Sequence, residues 1–169
     1  WAPNENAMLA FLDEIWPAVR ARVPGTPMVV VGRNPGQRLR ARCAAAGVEV
    51  TGTVPDVRPH MRGALALVVP MRVGGGTRLK ILEAFAARVP VISTAIGIEG
   101  IAAEPDTHYL RAETAAEFAA AAARLRDEPE LGARLADAAF ALATARYSWD
   151  AVGEQLARDL AGRFGRQGG

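Results

Sequence analysis

The chain has 169 residues, half of them hydrophobic and 22% charged, an ordinary globular composition in a length that supports one domain with a substantial core. Twenty basic residues against eighteen acidic leave a net charge of +2, and with no basic block that balance excludes nucleic acid as the expected partner. The single cysteine, Cys43, excludes an internal disulfide.

The chain opens on Trp1-Ala2-Pro3-Asn4, where a natural start would be a methionine, and reads as a piece of a longer protein. No signal-peptide pattern and no apolar run long enough to span a bilayer are read. Asn4 to Val23 reads as a helix capped by Asn4, with Leu9, Leu12, Ile15, Trp16 and Val19 on its apolar side and Pro17 expected to kink or split it. Pro24-Gly25-Thr26-Pro27 is a turn, and Met28 to Val31 is a buried strand ending at Gly32. Gly36 to Ala46 reads as a basic, Ala-rich helix closed by Gly47, with Cys43 as a small packing residue. Val48 to Thr51 is the next strand, and Asp56 to Gly63 a short helical crossover.

Leu65 to Val69 is a wholly apolar run, as expected of a strand buried on both faces. Pro90 to Thr94 is another strand, Ala95 to Asp106 a Gly-containing loop, and His108 to Leu110 an edge strand. Three amphipathic helices follow, marked by Ala115, Phe118 and Leu125, by Leu131, Leu135 and Leu142, and by Val152, Leu156 and Leu160. Residues 165–169 read as a frayed tail after a domain spanning 1–164. Apolar strands alternating with helices imply an α/β fold with a parallel sheet and helices on both faces. Ligands in such folds sit at the carboxyl ends of the strands, here the loops after Val31, Thr53, Val69 and Thr94.

The segment between the Leu65–Val69 strand and the helix marked by Leu79, Leu82, Phe85, Ala86 and Val89 carries the functional signal. Gly74, Gly75 and Gly76 let a ligand approach the backbone closely, and Thr77 can cap the helix, whose free N–H groups face the loop. That arrangement is an anion site, most often for phosphate. Arg78 and Lys80 sit in the first turn, where cations oppose the helix dipole unless an anion lies between them. Lys80 is the only lysine of the chain, among basic residues that are otherwise all arginine. The plainer alternative is a tight turn with two solvated charges. Glu83, nearly two turns in on the side shared with Leu79, can accept both hydroxyls of a ribose whose phosphates sit at the helix end. Its plainer alternative is a surface pair with Lys80 at i,i+3.

Other chemistries are not encoded. The loop fits neither G-x-x-x-x-G-K-[ST] nor G-x-G-x-x-G, and no G-x-S-x-G elbow is present. His60 and His108 have no partner at metal-ligand spacing and read as surface residues. No metal site, cofactor or general base is read.

From Trp1 to about Leu160 the chain resembles the C-terminal, donor-binding domain of a glycosyltransferase of the GT-B fold, in the large retaining family 4. The segments that carry the likeness are Val30-Val31-Gly32, Val50 to Val57, Pro70 to Ala84, Pro90 to Thr94 and Tyr147-Ser148-Trp149. The resemblance implies a Rossmann-like three-layer sandwich forming one half of a GT-B enzyme, with the acceptor domain and first strand lying upstream. It implies transfer of a hexosyl group from a UDP-, GDP- or ADP-linked sugar with retention, in the cytoplasm, and admits peripheral association of a longer protein with the inner membrane face.

By that resemblance Glu83 matches the second glutamate of an E-x7-E motif, the one that holds the ribose. Gly76, Thr77 and Arg78 match the amides that receive the diphosphate, and Val54 the residue whose main chain meets the base, with Gly32 and Arg33 close by. Two positions depart. The first motif glutamate falls at Gly75, and the family's diphosphate arginine and lysine fall before Trp1 and at about Pro3 or Asn4. Arg78 and Lys80 are expected to take over their role. Two other classes remain open: a non-catalytic GT-B-like scaffold, and a nucleotide-sugar epimerase domain of similar architecture.

Overall fold

The computed structural model describes residues 2–74 and 78–164. The chain begins as helix, α1 (Ala2–Ala10) running through a π-helical turn (Phe11–Ile15) into α2 (Trp16–Arg22). The expected break at Pro17 is thus a widened turn one residue ahead of it. Trp16 N–H bonds back to Phe11 O, a register that absorbs the missing proline N–H without severing the helix. The helix starts at Ala2, so Asn4 lies inside it and is not its cap.

β1 (Val29–Val31), α3 (Gln37–Ala45), β2 (Glu49–Gly52) and the short α4 (Arg58–Met61) follow the expected order. Gly47 closes α3 in the left-handed region (φ +68°) that glycine enters at little strain. Then come β3 (Leu67–Val69), α5 (Leu79–Ala86), β4 (Val91–Ser93), α6 (Ala95–Ile98), β5 (Leu110–Arg111), α7 (Ala115–Asp127), α8 (Pro129–Tyr147) and α9 (Trp149–Phe164). α6 corrects the expected loop after Thr94. Thr94 caps it, accepting the Gly97 N–H.

The strands pair in parallel, as expected, in two sets, β1-β2 and β3-β4-β5. Val30 faces Val50 and Val31 faces Gly52, leaving Thr51 as an extra residue that bulges the strand. β4 is buried throughout, and its alternation divides the core. Ile92 packs with residues of the π-helical turn, α2, α3 and α7 such as Phe11, Val19, Leu39 and Phe118, joined by Val30, Val50 and Val68. Val91 packs on the opposite side with Val69, Ile81, Phe85 and, from α8, Ala139 and Ala143. The result is a helix–strand–helix sandwich.

The expected apolar face of α5 holds at Phe85 and, just past the helix, at Val89, both buried, and fails at Leu79 and Ala86. Ile81, Ala84 and Phe85 are fully buried, whereas Leu79 is 60% exposed and Ala86 is exposed. On α9, Val152, Leu156 and Leu160 face solvent, with Trp149 at 90% exposure.

Candidate functional site

Within each set the strands run parallel, so the carboxyl ends of that set lie at a common edge. At the β3-β4 edge the two strand-to-helix connections are tied together by polar atoms. Ser93 Oγ donates to Val69 O at 3.3 Å, and Thr94 Oγ1 donates to Met71 O while accepting the Gly97 N–H at 2.9 Å. Gly97 leaves no room for a side chain: a Cβ there would stand 2.3 Å from Ser93 Oγ and 2.7 Å from Val69 O. Helix α6 is therefore seated directly on the strand ends.

Arg78 occupies the cap position of α5 and makes no side-chain capping bond. Its guanidinium is only 8% exposed and turns toward the sheet edge. Nη2 donates to Gly74 O at 3.0 Å and to Ile96 O at 2.8 Å, and Nε is buried without a partner among the described residues. Among the described residues its only acidic neighbour at ion-pair range is Glu99, 4.0 Å away and 71% exposed, a contact worth little in solvent.

Within the first turn of α5, Lys80 is half-buried and donates to Asn4 Oδ1 at 3.0 Å. Burial and the neighbouring Arg78 charge hold its amine below the usual lysine pKa. Two cations thus share the start of α5, and among the described residues no carboxylate lies closer than 4.0 Å to either. Asn4 is a contact the sequence reading overlooked, although the resemblance pointed to that position for a lysine. Ser93, Thr94 and Gly97 were also missed; a hydroxyl pair at a strand end followed by a glycine was the available signal.

The other expected site residues distribute as follows. Glu83 stands on the exposed side of α5 with Leu79, and the pair with Lys80 is not formed, since Lys80 turns to Asn4. Gly32 and exposed Arg33 follow β1, and half-buried Val54 follows β2, at adjacent ends of the paired strands. Gly75, Gly76 and Thr77 lie outside the described residues, as do 165–169. Gly74 is described and supplies a carbonyl to Arg78.

His108 Nδ1 accepts the Glu104 N–H at 3.0 Å, and His60 is exposed. A cleft of about 200 Å³ between β5 and α7 holds Asp106, Arg111, Glu117 and Arg124, but Arg124 pairs with Asp106 and Glu117 is committed to the α7 cap. Among the described residues, no group of three or more His, Cys, Asp or Glu could hold a metal ion, and no helix is long and apolar enough to cross a membrane.

Comparison with solved structures shows where this fold occurs. Sucrose-phosphate synthase from Thermosynechococcus elongatus is 21% identical, with a TM-score of 0.76 over 99% of this chain and 44% of that one. HepE from Anabaena, solved in complex with UDP, is 17% identical, with a TM-score of 0.73 over 86% of this chain and 44% of that one. The C-terminal domain of LpcC, a glycosyl transferase group 1 family protein from Francisella tularensis, is 19% identical, with a TM-score of 0.69 over 88% of this chain and 82% of that domain. The chain spans less than half the length of the HepE and sucrose-phosphate synthase chains. No curated protein matches its sequence. The family profile described as glycosyl transferases group 1 matches residues 1–128, a stretch that takes in β1 through α7 together with Arg78, Lys80 and Asn4. The chain is accordingly a member of the glycosyl transferases group 1 family.

Proposed function

We propose that this domain binds a nucleotide-diphosphate sugar, UDP-, GDP- or ADP-linked, as the donor half of a retaining, family 4 glycosyltransferase of the GT-B fold. The observation that carries this is the uncompensated positive charge at the start of α5, where among the described residues Lys80 has only a neutral amide as partner. A cation at a helix N-terminus opposes the dipole, and a diphosphate bound beside Lys80 reverses the sign of that interaction. HepE, whose fold is similar, was solved with UDP and with UDP-glucose, which supports the same ligand class.

In this reading Lys80 and the amides from Gly74 through Arg78 receive the diphosphate. Glu83 accepts the ribose hydroxyls, and Val54, Gly32 and Arg33 meet the base. The domain's contribution to transfer is positioning and stabilisation of the departing diphosphate, and none of its residues serves as general base. An N-terminal domain of a longer chain holds the hexosyl acceptor, and the reaction runs in the cytoplasm, at the membrane's inner face when the acceptor is a glycolipid.

Calorimetric titration with UDP, GDP and ADP tests this directly. One of them binds, and Lys80→Ala weakens it by about 10- to 100-fold, the loss of one charge-assisted hydrogen bond. Adding Arg78→Ala abolishes binding. Unchanged affinity in the double variant overturns the assignment. Gly75, standing where the motif's first glutamate belongs, favours a second reading in which the domain binds nucleotide as a non-catalytic scaffold. Donor turnover by the longer protein separates the two.

A further inference from the structure

Arg78 sits where a helix prefers a small capping residue or an acid, and where a cation opposes the dipole. It makes no cap bond and shows little of its side chain to solvent. What it does make is a bridge. One nitrogen joins Gly74 O, in the connection leaving β3, to Ile96 O, in the connection leaving β4. Ile96 belongs to α6, which Thr94 and Gly97 already seat on the ends of β3 and β4. The Gly74 backbone and the first turn of α5 are thereby referred to a fixed part of the sheet edge.

Resting on the nucleotide-binding reading, we propose that the Arg78 side chain is a positioning residue: it latches the start of α5 and Gly74 to α6, setting where Lys80 stands, and does not itself contact the diphosphate. The bridge depends on reach as well as charge. A lysine side chain ends one bond short of the arginine Nη atoms and carries a compact ammonium in place of the planar fork, so it keeps the charge and loses the latch. A charge contact and a latch therefore respond differently to the same conservative change.

The test uses Arg78→Lys and Arg78→Ala in the 169-residue chain, with Glu99→Gln as a control that leaves the bridge intact. Two quantities are read: affinity for UDP and for UMP (or the guanosine or adenosine pair, whichever binds), and deuterium uptake of the ligand-free protein. The latch predicts that both Arg78 variants lose about 10-fold or more in UDP affinity and most of the UDP-over-UMP advantage, while Glu99→Gln stays near wild type. Uptake rises in peptides covering 70–74, 79–86 and 94–98 and stays unchanged in α7 and α8.

Wild-type affinity in Arg78→Lys overturns the proposal in favour of a simple charge contact. Unchanged uptake in the three segments overturns it as well, and so does a rise throughout the molecule, which marks a general core role. Should the wild type bind none of the nucleotides, the nucleotide-binding reading fails, while the uptake pattern still decides whether Arg78 joins the two connections.

Discussion

Lys80 carries a proton-linked signature of its own. Burial first, and the Arg78 charge second, lower its pKa, so the folded chain holds fewer protons there than the unfolded chain. Its contribution to stability therefore rises with pH as the amine deprotonates, in the window below the ordinary lysine value of about 10.4. A diphosphate acts in the opposite sense and draws the pKa back up. Nucleotide binding at alkaline pH should then take up protons, visible as a dependence of calorimetric enthalpy on buffer ionisation, and Lys80→Met should remove it. Equal proton uptake in both proteins would exclude Lys80 from the contact. Gly97 makes a different prediction, because its constraint is purely steric. A methyl group placed 2.7 Å from the Val69 carbonyl forces α6 off the strand ends. Gly97→Ala should cost about 1–3 kcal/mol by urea denaturation, as overpacking usually does, and should weaken nucleotide binding along with it.

Helix α7 opens with a complete capping box, in which Thr114 accepts the Glu117 N–H and the Glu117 carboxylate accepts the Thr114 and Glu113 N–H groups. Those backbone bonds hold the Glu117 pKa below its ordinary value. The stabilisation is present above the unfolded carboxylate pKa, about 4.3, and is lost as pH falls through the folded value. Thr114→Ala should cost about 1 kcal/mol, and Glu117→Gln should flatten the acid limb of the stability curve. The strands were legible, since runs such as Leu67-Val68-Val69 are apolar on both faces, whereas the box, though signed by Thr114-x-x-Glu117, was not read. The stripe on α5 was legible in part. Phe85 and Val89 are buried as expected, but Leu79 and Ala86 fit helical spacing as well as Ile81 and Ala84 do, and only the position of the strands beneath decides which of them are buried. α6 was obscured because four residues containing a glycine look like a loop until Thr94 is seen capping them. Within the site, Lys80 announced itself as the lone lysine, whereas the Arg78 bridge needs two carbonyls, which no sequence pattern records.

At the scale of the whole molecule, α8 joins the two sides of the sandwich, giving Leu131 and Leu135 to one core and Ala139 and Ala143 to the other. Leu135 is completely buried, so Leu135→Ala should lose about 2–5 kcal/mol in a single cooperative urea transition. Leu156, 58% exposed on α9, should lose no more than about 0.5 kcal/mol on the same change, because little of it leaves water on folding. The widened turn at Phe11–Ile15 reaches further than its own packing. Each residue of a helix advances the chain by about 100°, so one surplus residue in that turn sets the azimuth of everything upstream relative to α2. Asn4 lies upstream and Lys80 leans on it. Excising a single residue from the turn would leave an unbroken helix but swing Asn4 out of phase, and the Lys80 amine at the start of α5 would lose its rest from a distance of two helical turns.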